Sequence, residues 1–227
     1  MPLNKQGGNM YGFVDYTWNT IKGLCPHGCK YCYMKRFPQT ELHFDEKELK
    51  ANLGSGNRIF VGSSCDMWAE TIPTDWITRT LEKCRLHNDN IYIFQSKNPK
   101  RFDDFNGLFP RSTFWITTIE TNRFYPDIMG NAPRPQARLH DFQISQPLHM
   151  HITVEPIMDF DTEVFAEMLG ETGCRINIGA DSCGHNLPEP SKEKVIELID
   201  LLENEYCVEV YQKKNLKRIL GEDYNPG

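Results

Sequence analysis

Gly23-Leu24-Cys25-Pro26-His27-Gly28-Cys29-Lys30-Tyr31-Cys32-Tyr33 is the stretch from which the rest of the chain is read. It sets Cys25, Cys29 and Cys32 in a C-x3-C-x2-C spacing. Thiolates this close in sequence can converge on one metal centre. Cubane iron–sulfur clusters are held by Cys thiolates, so three ligands leave one iron corner open. Pro26 and Gly28 suit a tight loop that turns the sulfurs inward. The competing reading is a zinc knuckle. Structural zinc takes four ligands, usually from two paired motifs. His27 is the local candidate for a fourth, but it sits between two cysteines, a strained place from which to close a tetrahedron. The spacing favours the cluster.

The chain has 227 residues, enough to bury a sizeable core in one domain. At 39% hydrophobic and 25% charged it has ordinary globular composition. A net charge of −6 gives no global pull toward nucleic acid, though a local basic patch remains open. The N-terminal residues hold no apolar signal-like region, and no run approaches the roughly 18 apolar residues of a membrane span. A cytoplasmic protein with no membrane contact is expected. In that compartment the eight cysteines point to thiols and metal ligands rather than disulfides.

Strands and helices alternate along the chain. Strands are expected at 11–18, 58–64, 91–94, 113–119, 149–154, 174–178 and 207–211. Helices are expected at 44–49 with Asp45 as N-cap, at 74–86 with Thr74 as cap, at 160–169, and at 191–204 with Ser191 as cap. In the second helix Trp76, Ile77, Leu81 and Cys84 share a face. In the last, Val195, Ile196, Ile199 and Leu202 point inward. Such alternation implies right-handed crossovers and a parallel sheet with helices outside. Six or seven units are too few for a full eight-unit barrel, so the fold class is α/β, an open partial (β/α)6-type barrel. A single domain spans 1–227, with the cysteine loop at 23–37 and a C-terminal strand and basic tail at 207–227.

Active sites of parallel sheets lie at the C-terminal ends of the strands. Those ends are polar here: Ser63, Ser64, Cys65 and Asp66; Ser96 and Lys97; Thr117, Thr118, Glu120 and Asn122; Glu155; Asp181, Ser182 and Cys183; Gln212, Lys213 and Lys214. Any one of these loops could simply cap a helix. Polar groups at every strand end, around one mouth, point instead to a ligand.

The cysteine spacing, with an aromatic residue (Tyr31) just before the third cysteine, resembles the signature of the radical S-adenosylmethionine (SAM) superfamily. More closely, the chain resembles a phage- and prophage-associated radical SAM-like family, and more distantly spore photoproduct lyase. The resemblance covers Thr17-Trp18-Asn19, the cysteine loop, Phe60 to Asp66, Gln95 to Pro99, Thr118 to Thr121, Val154-Glu155-Pro156 and Tyr211-Gln212-Lys213. It implies the partial-barrel fold and a [4Fe–4S] cluster on Cys25, Cys29 and Cys32. It also implies SAM bound at the open iron and cleaved to methionine and a 5′-deoxyadenosyl radical that takes hydrogen from a substrate. By resemblance, Ser63 and Ser64 meet the SAM amino group, Lys97 its carboxylate, and Thr118 lies near the cofactor. Tyr31, Asp66, Glu120 and Glu155 complete the expected SAM contacts. Many superfamily members carry Gly-Gly-Glu where this chain has Gly62-Ser63-Ser64.

A thiol readily gives up a hydrogen atom, so Cys65 and Cys183 are the candidate catalytic donors. Cys84, Cys174 and Cys207 are assigned to the core. Tyr31, Tyr33 and Phe37 could exclude water and oxygen at the mouth. His149 and His151 share a strand face and are read as structural. Lys213, Lys214, Lys217 and Arg218, and separately Lys97, Lys100 and Arg101, form basic clusters that suit either phosphates or solvent.

The expected partners are a reductant such as flavodoxin or ferredoxin and a nucleotide or nucleic-acid substrate. The expected assembly is a monomer or weak dimer. The alternatives are a radical SAM enzyme for a peptide or small metabolite, and a non-catalytic zinc-binding module.

Overall fold

Hydrophobic alternation at period two decides which face of each strand is buried against what. The computed structural model describes residues 3–7, 9–145 and 149–225, so the outermost residues of the expected 1–227 domain lie outside the described residues. The strands are β1 (Asn4–Lys5), β2 (Tyr16–Trp18), β3 (Ile21–Lys22), β4 (His43–Phe44), β5 (Arg58–Val61), β6 (Ile91–Ser96), β7 (Thr113–Thr118), β8 (Met150–Val154), β9 (Arg175–Ile178) and β10 (Val210–Gln212). The helices are α1 (Thr74–Arg85), α2 (Pro126–Met129), α3 (Pro135–Ser145), α4 (Thr162–Gly170), α5 (Lys192–Asp200) and α6 (Lys217–Leu220).

The main sheet has 8 strands in the order β1-β2-β5-β6-β7-β8-β9-β10. Only β1 runs antiparallel; β2, β5 and every later neighbour are parallel. The fold is therefore α/β with an open, mostly parallel sheet, as the strand–helix alternation implies. β3 and β4 form a separate two-stranded ribbon.

Ile59, Val61, Tyr92, Phe94, Trp115, Ile152, Val154, Ile176 and Ile178 face the helices and build the main core. An aromatic cluster anchors it: Trp68 meets Phe102 edge-on at 4.9 Å and Phe94 at 5.5 Å. Edge-to-face pairs of this kind add about 0.5–1.5 kcal/mol beyond area burial. The alternate residues Phe60, Ile93 and Ile116 face the concave side and pack on Tyr11 and Val14. The N-terminal segment thus enters the concavity, and residues 11–15 are not strand as expected; β2 starts at Tyr16. Tyr11 donates to Gln95 Oε1 at 2.8 Å and hydrogen-bonds the Thr153 hydroxyl, which pins the segment to β6 and β8.

Several local expectations need correction. Residues 44–49 are not an α-helix; a single 3-10 turn, Glu48–Lys50, forms at their end. Phe44 pairs with Ile21 in the ribbon, and Asp45 accepts from Lys22 and from the Lys47 backbone N–H. Pro73, not Thr74, is the N-cap of α1, because the helix already includes Thr74. Ser191 does cap α5, accepting from the Lys194 N–H at 3.3 Å. Beyond Asp200 the chain continues as a π turn, Leu201–Glu205, and Leu198 takes the buried place expected of Ile196, which is 39% exposed. Cys84 and Cys174 are buried, but Cys207 is exposed, at φ +54°. Helix α3 has no counterpart in the expected elements.

Candidate active site

The parallel strands deliver their C-terminal ends to one mouth, and a cavity of about 560 Å³ opens there. That volume suits a small-molecule or cofactor site. Its wall includes Cys25, Cys29, Cys32, Cys65, Cys183, Tyr31, Ser63, Ser64, Asp66, Lys97, Thr118 and Glu155. Of the expected site residues only Glu120 is not on the wall; it lies fully buried behind Tyr31 and Lys97.

The cysteine loop is held from behind by α2 and the turn after it. Cys29 Sγ donates to the Met129 carbonyl at 3.3 Å, and the Lys30 N–H to the Ile128 carbonyl at 2.8 Å. The Asn131 N–H and side chain bond the His27 and Pro26 carbonyls. Gly130, at φ +63°, permits this approach, since a Cβ there would overlap the His27 carbonyl. His27 itself is engaged by a carboxylate. Its Nε2 meets Asp66 Oδ2 at 2.9 Å.

Asp66 ties the loop to the sheet. Its carboxylate also accepts from the Ser96 hydroxyl at 3.0 Å, the Lys97 N–H at 2.8 Å and the Trp68 N–H at 3.0 Å. Burial pushes its carboxyl up, but His27 and the backbone donors outweigh burial and hold it below the ordinary value. A carboxylate so occupied orients the loop.

Four thiols share this corner. Cys25 and Cys65 are hydrogen-bonded, and that bond lowers Cys25 to about 6. The same bond, then burial, pushes Cys65 well above the ordinary thiol value. The two thiols therefore titrate as a pair rather than as independent groups. Among the described residues no three His, Cys, Asp or Glu side chains converge on a single-ion position. A cubane is a body rather than a point, and its ligands stand around it. Cys25, Cys29 and Cys32 on one wall fit that arrangement.

Beside the thiols lies a polar cradle. Asn19 accepts from the Ser63 hydroxyl at 3.1 Å and the Ser64 N–H at 3.0 Å, which fixes the loop after β5. Ser64 Oγ is then left buried at the cavity with no partner. A buried hydroxyl without a partner is costly unless a ligand satisfies it. That unpartnered hydroxyl, with Lys97 lining the same cavity, fits the amino and carboxylate groups of an amino-acid moiety.

Lys97 reaches Glu120 at only 3.8 Å and stands 5.4 Å above the Tyr31 ring. Burial lowers its ammonium, yet Glu120 and Cys29 overcome this and raise it, so it stays charged. Glu120 is fully engaged elsewhere: Arg138, equally buried, donates to it at 2.8 Å, and the Tyr31 hydroxyl also bonds it. Burial raises the Glu120 carboxyl, but Arg138 and Lys97 prevail and hold it low.

Across the cavity, Glu155 accepts from Lys213, Asn9 and Asn215 at 2.5, 2.5 and 2.7 Å. Gly179 allows this crowding, since a Cβ there would lie 2.8 Å from Glu155 Oε1. Thr118 accepts from Gln95 at 2.8 Å.

The tail cluster is not one basic patch. Lys213 is buried on Glu155, and Arg218 is paired with Glu189. Lys97 lies on the cavity wall while Arg101 holds the Ala69 and Ile72 carbonyls, so that cluster too is divided. His149 stacks on Phe114 at 4.9 Å, and His151 sits edge-on to Phe13 and Phe114, at the strand end opposite Glu155. Desolvation lowers His151 to about 4. Asn19, Arg138, Tyr11 and the His27–Asp66 pairing were not anticipated as site-building contacts. Asn19 lay within the quoted Thr17-Trp18-Asn19 segment and was findable there. Arg138 lies on a helix that periodicity did not reveal.

No protein-family model matches the chain, and no curated protein matches it. Among solved structures it is similar to a serine-for-cysteine mutant of spore photoproduct lyase, with TM-score 0.64 and 10% identity over 91% of this chain and 78% of that one. A mutant of the same lyase with bound AdoMet and dinucleoside spore photoproduct matches with TM-score 0.56 at 10% identity, over 89% of this chain and 66% of the lyase. A third structure, the lyase complexed with dinucleoside spore photoproduct, matches with TM-score 0.56 and 10% identity over 88% of this chain and 64% of the lyase. At such identities the likeness is one of fold: this chain folds like spore photoproduct lyase.

Proposed function

We propose that the chain is a radical SAM enzyme acting on a nucleotide or a nucleic-acid base. The observation that carries this reading is one cavity lined by the three motif cysteines, the unpartnered Ser64 hydroxyl and Lys97 at the C-terminal ends of a parallel sheet. The substrate class is supported by similar folds in spore photoproduct lyase, three structures of which hold a dinucleoside spore photoproduct. The narrower resemblance to the phage-associated family rests on sequence motifs alone.

Cys25, Cys29 and Cys32 would hold a [4Fe–4S] cluster, and Ser64 and Lys97 the amino and carboxylate groups of SAM. When bound, the pair supplies one-electron cleavage of the sulfonium and removal of a hydrogen atom from the substrate. The chain's own residues hold and orient. Asp66, by gripping His27 and the Lys97 backbone, fixes the cysteine loop relative to the carboxylate site. Gln95 turns the Thr118 hydroxyl to a set direction. Tyr31, buried and bonded to Glu120, walls off water beside Cys29. Cys65, buried and lining the cavity beside the motif cysteines, is the better-placed donor to a product. Cys183, exposed at the mouth 4.0 Å from the Arg36 guanidinium, is the second candidate.

The test is anaerobic reconstitution followed by dithionite and SAM. Methionine and 5′-deoxyadenosine should form, and each of Cys25→Ala, Cys29→Ala and Cys32→Ala should abolish them. Cys65→Ala should keep both the cluster and SAM cleavage. A protein that carries its full cluster yet never yields 5′-deoxyadenosine would remove this reading.

A further inference from the structure

The cysteine loop has an outer face that the chemistry above leaves unused. From Tyr16 to Thr40 the chain carries Lys22, Lys30, Lys35 and Arg36 and no Asp or Glu, within a protein of net charge −6. Lys22 is spent on Asp45 and Glu48, but Lys30, Lys35 and Arg36 are exposed. Beside them Leu24 is 56%, Tyr33 41% and Phe37 48% exposed, large apolar groups left in water at the rim of the cavity. Arg36 lies 5.2 Å above the Phe37 ring and 5.9 Å above the Tyr33 ring. Elsewhere Arg58, Arg79, Arg123, Arg138, Arg175 and Arg218 each face a carboxylate; Arg36 faces none among the described residues. The Tyr33 hydroxyl donates to the Ser63 carbonyl at 2.6 Å, so its ring is fixed rather than free. Tyr33, Lys35 and Arg36 line the cavity itself.

We propose that this lip, Arg36 and Phe37 with Tyr33, Lys30 and Lys35, docks a single-stranded segment of nucleic acid and presents a base to the cavity. Resting on the reading of a nucleic-acid substrate, it assigns the surface that would hold the polymer. Cations without carboxylate partners attract phosphates, and fixed exposed rings stack bases regardless of sequence. An acidic protein would also be drawn to the charge. Because Tyr33, Lys35 and Arg36 line the mouth, however, a protein seated on them would cover the substrate's route.

The test uses the anaerobically reconstituted protein and a fluorescein-labelled single-stranded oligonucleotide of about 12 nucleotides, within the ~4–16 that one groove spans. Anisotropy should report binding that weakens with added salt. Arg36→Ala and Phe37→Ala should each weaken it at least about fivefold, and Arg36→Glu more. Arg58→Ala, at the far end of β5, should change nothing. Circular dichroism and iron content of each variant confirm that fold and cluster are intact. Equal binding by wild type and all lip variants would overturn the proposal. So would no binding by a wild-type protein that holds its cluster and cleaves SAM, in which case the radical SAM reading stands. The proposal also falls if Arg36→Glu slows reduction by flavodoxin and leaves oligonucleotide binding unchanged, because the lip then belongs to an acidic protein.

Discussion

Two lysines line the cavity, each beside a glutamate and above a tyrosine ring, and they are not equivalent. Lys213 stands 2.5 Å from Glu155 and 4.3 Å above Tyr11. Lys97 stands 3.8 Å from Glu120 and 5.4 Å above Tyr31. The difference lies in the glutamates. Glu120 is already bound by Arg138 and the Tyr31 hydroxyl, so it has little left for Lys97. Glu155 has no arginine and takes Lys213 directly. One ammonium is therefore committed to the protein, and the other is free to meet a ligand's carboxylate.

The strongest way to break this comparison is at the glutamates. Glu120→Ala strands a fully buried Arg138, which costs about 3–5 kcal/mol when one partner of a buried pair is lost. Glu155→Ala leaves Lys213 beside Asn9, Asn215 and a half-open cavity, and should cost about 1–3 kcal/mol. Urea unfolding of both variants checks the order. A larger loss at Glu155 would reverse the assignment of the two sides.

The lysines themselves sharpen it. A charge-assisted hydrogen bond is worth about 1.5–3 kcal/mol, so Lys97→Ala should weaken SAM binding about tenfold or more. Lys213→Ala should change it less than about twofold, within the ordinary noise of ~0.5 kcal/mol for a side chain outside the contact. Calorimetric titration of the reconstituted protein reads both. Equal effects would place the carboxylate between the two sides.

The smallest effect is in acid. Carboxyls of the unfolded chain titrate near 4.5 for Glu and 3.8 for Asp, and the folded Glu120 and Asp66 lie lower. Their stabilisation is complete above those unfolded values and is lost as pH falls through the folded ones. Unfolding midpoints should therefore hold level down to about pH 5 and fall below about 4.5, with Glu120→Gln flattening the fall by about one proton. An unchanged slope in Glu120→Gln would show that Glu120 is not held low.

Much of this was legible in the chain because local chemistry set it. The three cysteines line one cavity, and polar strand ends meet at its mouth, since parallel strands share a direction. What hid was non-local. Arg138 reaches Glu120 from α3, a helix whose exposed Ile144 blurs its amphipathic pattern. Residues 11–15 look like strand because the segment is apolar and aromatic, but that character serves the concave core instead. Cys207 looked like core by residue type, yet its left-handed backbone marks a turn. Lys213 was read with a basic tail because sequence neighbours are not spatial ones.

The most direct measurement of the central claim is the metal content of protein reconstituted anaerobically with iron and sulfide and then desalted. A cubane on Cys25, Cys29 and Cys32 predicts about four iron and four sulfide per chain, lost on replacing any of the three cysteines. Stoichiometric zinc, with no iron retained, would contradict it.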